Sequence, residues 1–249
     1  MAARTRPASR RPPRPSAPPL SAYWEATREP LYSLVFLLPL VATYEFGALL
    51  LRVSTPMQHE LVAQRLLRTL LGWFGAGGLW LPGLALLITL LLWHVLSHRP
   101  WQIRAWVPLL MAGESALLVF PLLAIHLLPL QAGDQPVDSL AERIVLALGA
   151  GIYEELLFRL GLISLLLFVL GDLLRLPRRA AAPIALLLAA AIFALCHYHP
   201  VGVEVFSWSG FLQRLVAGAY LSLIFLSRGL GIATGCHSGY NLLILVLGT

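Results

Sequence analysis

At 249 residues, with 58% hydrophobic and 12% charged residues and a mean hydropathy of +0.78, the chain is too apolar for a soluble globular domain. Its net charge of +6 comes from arginine alone, because there is no lysine. Six of the eighteen arginines crowd into the first thirty residues, where a positive flank ahead of an apolar run marks the cytoplasmic side and makes a nucleic-acid reading unnecessary.

Residues 1–25 are rich in arginine, proline, serine and alanine, a composition that buries no core, and read as a disordered cytoplasmic tail ahead of an integral-membrane domain over 26–249. The first apolar run opens near Leu31, is as long as a full span and lacks a small-residue cleavage site, so it reads as an anchor rather than a signal peptide. Apolar runs near 31–51, 78–97, 107–130, 140–172, 183–199, 210–227 and 230–247 approach or exceed the roughly 20 residues a helix needs to cross the hydrocarbon core. The expected fold is therefore all-α, a polytopic transmembrane bundle of seven or eight spans. A transmembrane barrel would show alternating segments of about 10 residues instead.

The fourth run is long, and Gly149-Ala150-Gly151 offers a break that would make 139–149 a separate interfacial helix or 140–151 a re-entrant segment. Residues 52–77 carry Arg52, Arg65 and Arg68 among leucines at helical spacing, the pattern of an amphipathic helix on the membrane surface. With the N-terminus in the cytoplasm, counting crossings puts Arg99, Arg104, Arg175, Arg178, Arg179 and Arg228 on that same side. Asp134, Asp138 and Glu204 fall opposite, as do Arg52, Arg65 and Arg68 against the trend. No internal repeat is visible. Cys196 and Cys236, each immediately before a histidine, are too few for a disulfide framework and lack zinc-finger spacing.

Three segments concentrate polar chemistry inside apolar helices. Glu154 and Glu155 with Arg159 form the first, and each charge at a bilayer centre costs about 3 kcal/mol on insertion scales, so the cluster needs a function. Helical geometry aims Glu155 and Arg159 to one face and turns Glu154 away, leaving Glu154 free to act as a base in a cavity. The bland reading makes both glutamates structural partners of the arginine, although one arginine does not need two carboxylates. The second segment is Phe193 with His197, four apart; His199 follows on roughly the opposite face. The third is His237 with Asn241, again four apart, on a helix whose other face carries Gly231, Gly235 and Gly239 for close packing. A glutamate, two histidines and an asparagine around one cavity would supply a water-activating base and donors for a developing oxyanion.

In order, Glu154-Glu155-x-x-x-Arg159, Phe193-x-x-x-His197 and His237-x-x-x-Asn241 resemble the three motifs of the CPBP family, the CAAX-protease and bacteriocin-processing (ABI, Rce1-like) intramembrane endopeptidases. The resemblance covers 140–249 well, with the motif-bearing core at 139–249, and the first 130 residues only through apolar character. It implies that Glu154 activates water with His197, that His237 and Asn241 stabilise the oxyanion, and that Glu155 and Arg159 organise the site, with Phe193 beside the substrate. It implies neither metal nor other cofactor. The expected partners are a membrane-anchored protein or peptide substrate and the lipid bilayer, with no nucleic acid. The arginine-rich, lysine-free composition suggests a GC-rich bacterial genome and hence the bacterial inner membrane.

Rival chemistries lack their residues. His59-Glu60 has alanine at position 63 where a zincin needs its second histidine, Gly113-Glu114-Ser115-Ala116 lacks the glycine of a rhomboid serine motif, and Gly171-Asp172 lacks the presenilin-type context. Glu45 and Glu114 read as packing or cavity-lining groups, and His94 and His126 as histidines bonded to a neighbouring helix. The alternative function is a non-catalytic membrane scaffold or peptide-binding protein of the same fold; a transporter would be expected to show repeats. One tension stands: His197 falls near the outer end of its span and His237 nearer the inner end of its own.

Overall fold

The computed structural model describes residues 19–54, 61–73, 75, 81–126 and 140–247. Residues 1–18, His59, Glu60, Asp134 and Asp138 lie outside them, as do the side chains of Arg52 and His126. Among the described residues nine helices follow in chain order: α1 (Pro19–Ala26), α2 (Pro30–Ser54), α3 (Val62–Trp73), α4 (Leu81–Leu96), α5 (Trp106–His126), α6 (Leu140–Leu173), α7 (Arg178–Leu195), α8 (Trp208–Arg228) and α9 (Leu230–Leu247). Among the described residues, six are long and apolar enough to cross a membrane: α2 and α5 to α9. The second expected span, α4, has 16 residues and so reaches about 24 Å, short of a hydrocarbon core of roughly 30 Å. The chain is an integral membrane protein whose described elements are all helices.

The expected break in the fourth run does not occur. Helix α6 runs unbroken for 34 residues, so 140–151 is neither a separate helix nor a re-entrant turn. The glycines there serve close approach instead. A Cβ on Gly151 would stand 2.2 Å from Ser238 Oγ and 2.7 Å from the Ser238 backbone nitrogen, and one on Gly149 2.3 Å from the Tyr44 ring. Beyond Glu154 the winding changes to π-helical over Glu155–Ile163 and again over Phe168–Leu173, and such widened turns are frequent at functional positions.

Helix α9 lies at the centre of the bundle, against α5, α6, α8 and α2. Its glycine stripe does what the sequence suggests. Cβ atoms there would press on Met111 and Ser33 (at Gly231), Ser115 and Phe36 (at Gly235), and Val119 (at Gly239). Helix α3 buries Ala63, Gln64 and Leu67 and exposes Arg65, and Gln64 accepts a 2.9 Å hydrogen bond from the Tyr44 hydroxyl.

One end of the bundle is tied by contacts distant in sequence. Arg228 makes a two-pronged ion pair to Glu114 at 2.6 and 2.7 Å, the Tyr23 hydroxyl donates to the same carboxylate at 2.6 Å, and the guanidinium lies 3.9 Å from the Trp24 ring centroid. Helix α1 is thereby docked, so the disordered tail expected over 1–25 is corrected from Pro19 onward. Gly229 joins α8 to α9 at φ +92°, a conformation that favours glycine, and a Cβ there would meet the Thr27 carbonyl oxygen at 2.7 Å. At the opposite end Arg65 donates to the Val201 carbonyl, and Arg214 pairs with Glu204 at 2.6 Å.

Two isolated polar groups depart from or refine expectation. His94 is fully buried edge-on to Trp101, with ring centroids 4.4 Å apart, and among the described residues neither ring nitrogen has a hydrogen-bond partner, so it bonds no neighbouring helix there. Trp101 from the following loop supplies aromatic packing where a polar neighbour was expected. Glu45 accepts a 2.7 Å hydrogen bond from Tyr153 and, like Glu114, holds helices together.

Candidate active site

The three polar segments meet. Glu155 and Arg159 are 0% and 1% exposed and approach at 3.1 Å, an ionic contact rather than an aligned hydrogen bond, on the side of α6 that faces α7 and α9. The guanidinium is held twice more, 4.5 Å from the Phe193 ring centroid and 3.5 Å from the Gly218 carbonyl oxygen. Glu155 also takes the Nδ1 hydrogen of His237 at 2.8 Å. That bond fixes the imidazole so that Nε2 is turned toward Glu154, whose Oε2 lies 3.7 Å away. Glu154 is itself partly exposed, to a cavity.

That cavity, of about 410 Å³, is lined by Glu154, Phe193, His197, His237 and Asn241 together. Phe193 fills the space between the histidines, with its ring centroid 4.9 Å from His197 and 6.5 Å from His237. His197 gives its Nδ1 hydrogen to the Phe193 carbonyl at 2.9 Å, leaving Nε2 as an acceptor. Burial pushes the His197 imidazole below its ordinary value, aided by the Arg214 charge and opposed by the Glu154 carboxylate. The ring is therefore neutral near pH 7. Asn241 donates one Nδ2 hydrogen to the Ala147 carbonyl at 3.1 Å and keeps a second.

The early end of α7 resolves the depth mismatch between His197 and His237. Helix α7 stops at Leu195, four residues short of the expected end. Phe193 packs on Gly218, midway along α8, where a Cβ would come within 2.9 Å of the ring. The end of α7 thus lies inside the bundle, and His197 stands in the turn just beyond. That turn is pinned by the Gly202 amide to the Tyr198 carbonyl at 2.8 Å and by the Glu204 amide to the His197 carbonyl at 3.2 Å. A Cβ on Gly202 would collide with the His197 carbonyl, so the tight return requires glycine. His199 points out of the cluster into the exposed part of the loop.

Sequence reasoning missed Arg143, Gln213 and Arg214, which also line the cavity. A polar Gln213-Arg214 pair inside an apolar run was the available signal. Among the described residues no three histidine, cysteine or acidic side chains are placed to hold a metal ion. The arrangement can hold a water beside one carboxylate with imidazole and amide groups around it.

No curated protein matches the chain, and no solved structure does. Residues 136–243 match the family model described as Type II CAAX prenyl endopeptidase Rce1-like, a stretch that contains every motif residue of the cavity. Over those residues the chain carries a domain of the Rce1-like CAAX endopeptidase (CPBP) family, a family of proteases.

Proposed function

We propose that the protein is an intramembrane endopeptidase that hydrolyses a peptide bond of a membrane-associated protein or peptide with a water activated by Glu154. The observation that carries this reading is the 3.7 Å gap between Glu154 Oε2 and His237 Nε2 at the cavity wall, with His197 and Asn241 on the same cavity. Glu154 takes a proton from water as the oxygen attacks the carbonyl carbon. His237 presents Nε2 to the oxyanion, joined by the second Nδ2 hydrogen of Asn241. Collapse of the tetrahedral intermediate breaks the C–N bond, and the proton held by Glu154 passes to the departing amine. His197 Nε2 orients the water as an acceptor. Glu155 and Arg159 are positioning residues, because they touch His237 and Phe193 rather than the reacting atoms. Phe193 is the wall against which the substrate backbone lies.

The working unit is the domain from Pro19 onward, where α1 docks, seated in a bacterial cell membrane with its N-terminal side in the cytoplasm. The arginines gathered at the α1 end support that orientation. Purified protein in lipid should cleave a membrane-anchored peptide, and Glu154→Gln should lose about 10² to 10⁴ of the rate, the span of a general base. An unchanged rate in that variant would leave the cavity as a peptide-binding site only.

A further inference from the structure

We infer that the cavity opens on the extracytoplasmic side of the membrane, so that the substrates are proteins whose scissile bond lies in an extracytoplasmic segment beside their membrane anchor. The word substrate rests on the endopeptidase reading above; the direction of opening does not.

The opening is drawn by one stripe of α6. Arg143, Ala147, Ala150 and Glu154 recur at intervals of four, three and four residues, one helical face, and all four line the cavity. The two alanines leave a trough about 16 Å long from the carboxylate to the first turn of the helix. Leu61 before α3 and Leu245 in the last turn of α9 stand on the same cavity wall. These are elements of a single end of the bundle, the end where Arg65 meets Val201 and Arg214 meets Glu204. Toward the other end the way is shut. Below Glu154 lie the buried Glu155–Arg159 pair and Phe193, then the close contacts of Gly231 and Gly235 with α2 and α5, then the Arg228–Glu114 clasp under α1. Among the described residues, the cavity lining therefore reaches one end of the bundle only.

Charge orients that mouth. Arg28, Arg99, Arg104, Arg175, Arg178, Arg179 and Arg228 sit at the closed end, and five more arginines precede α1 in the sequence. At the open end stand Arg52, Arg65, Arg68, Arg143 and Arg214, the last neutralised by Glu204. Twelve against five is the bias that keeps a membrane end in the cytoplasm, and it concentrates in short connections, where the rule is strongest. A lipid-modified C-terminus presented at the cytoplasmic face would meet the closed end and could not reach Glu154.

The test is topological. In the full chain expressed in bacterial cells with Cys196→Ser and Cys236→Ala, single cysteines are placed at Ala147 in the trough, Val203 in the exposed 196–207 loop, and Ser97 at the closed end. A small membrane-impermeant thiol reagent should label Ala147→Cys and Val203→Cys in intact cells and Ser97→Cys only after permeabilisation. The reverse pattern would overturn the inference. Should a cysteine variant fail to accumulate, fusions after Thr249 give a second reading. Alkaline phosphatase should be active there and a fluorescent protein dark, whereas a bright fluorescent protein with inactive phosphatase overturns the assignment. Neither readout needs catalysis, so an inert Glu154 and a wrongly directed mouth give different results.

Discussion

Removing the Arg159 guanidinium while keeping its apolar volume, as in Arg159→Met, should destabilise the bundle strongly. The pair it forms with Glu155 spans 3.1 Å with both side chains essentially inaccessible. At an effective dielectric of about 20 the attraction lost is about 5 kcal/mol. Breaking one partner of a buried pair costs about 3–5 kcal/mol in proteins generally, because an uncompensated charge is left behind. Glu155 retains only His237 Nδ1 at 2.8 Å, so the loss should fall in that same range. In the double variant Glu155→Gln/Arg159→Met both charges vanish, and the amide oxygen still accepts from His237. Its stability should therefore return to within about 2 kcal/mol of the parent. Unfolding in mixed detergent micelles, followed by the fluorescence of the seven tryptophans, supplies all the values of the cycle. A single variant as stable as the parent, or a double variant as damaged as the two singles added together, would refute the coupling.

Other outcomes follow from the same geometry. Asn241→Ala should lower kcat by about 10² to 10³ with little change in KM, since an oxyanion donor acts in the transition state; an effect on KM alone would make Asn241 a binding group. Gly151→Ala should cost about 1–3 kcal/mol by forcing α6 away from Ser238, and should lower activity by parting Glu154 from His237. Gly171→Ala, with nothing within 4 Å of the new methyl, should cost nothing in the same assay. Because His197 is held below its ordinary value of 6.5, its protonation should depress kcat/KM only at lower pH. The stability it contributes by staying neutral is present above pH 6.5 and lost as pH falls through the lowered value. Replacing Arg214 with Gln removes a charge that lowers His197 and should move that acid limb upward in a pH–rate profile.

The sequence disclosed those features whose partners share a helix. Glu155 with Arg159, and Phe193 with His197, are four residues apart, and a helix brings such residues together whatever surrounds it. Run length likewise revealed most of the spans. What stayed hidden depends on partners far along the chain. A glycine pair can break a helix or admit a neighbour, and only the presence of Ser238 and Tyr44 beside α6 decides for continuity. The clasp between Glu114 and Arg228 joins residues 114 positions apart, and the early end of α7 is set by Gly218 on α8. His94 shows the converse, a polar residue whose expected neighbour never arrives.

The ion pair within α6 bears on how the protein is made. A lone charge at mid-membrane costs about 3 kcal/mol on insertion scales. Glu155 and Arg159 leave the ribosome within one turn of each other and compensate as soon as that helix winds, so the segment can partition into lipid unaided. His237 follows Glu155 by 82 residues and belongs to α9. The imidazole opposite Glu154 thus arrives only with that later helix, and a nascent chain that stops short of it carries Glu154 without that imidazole.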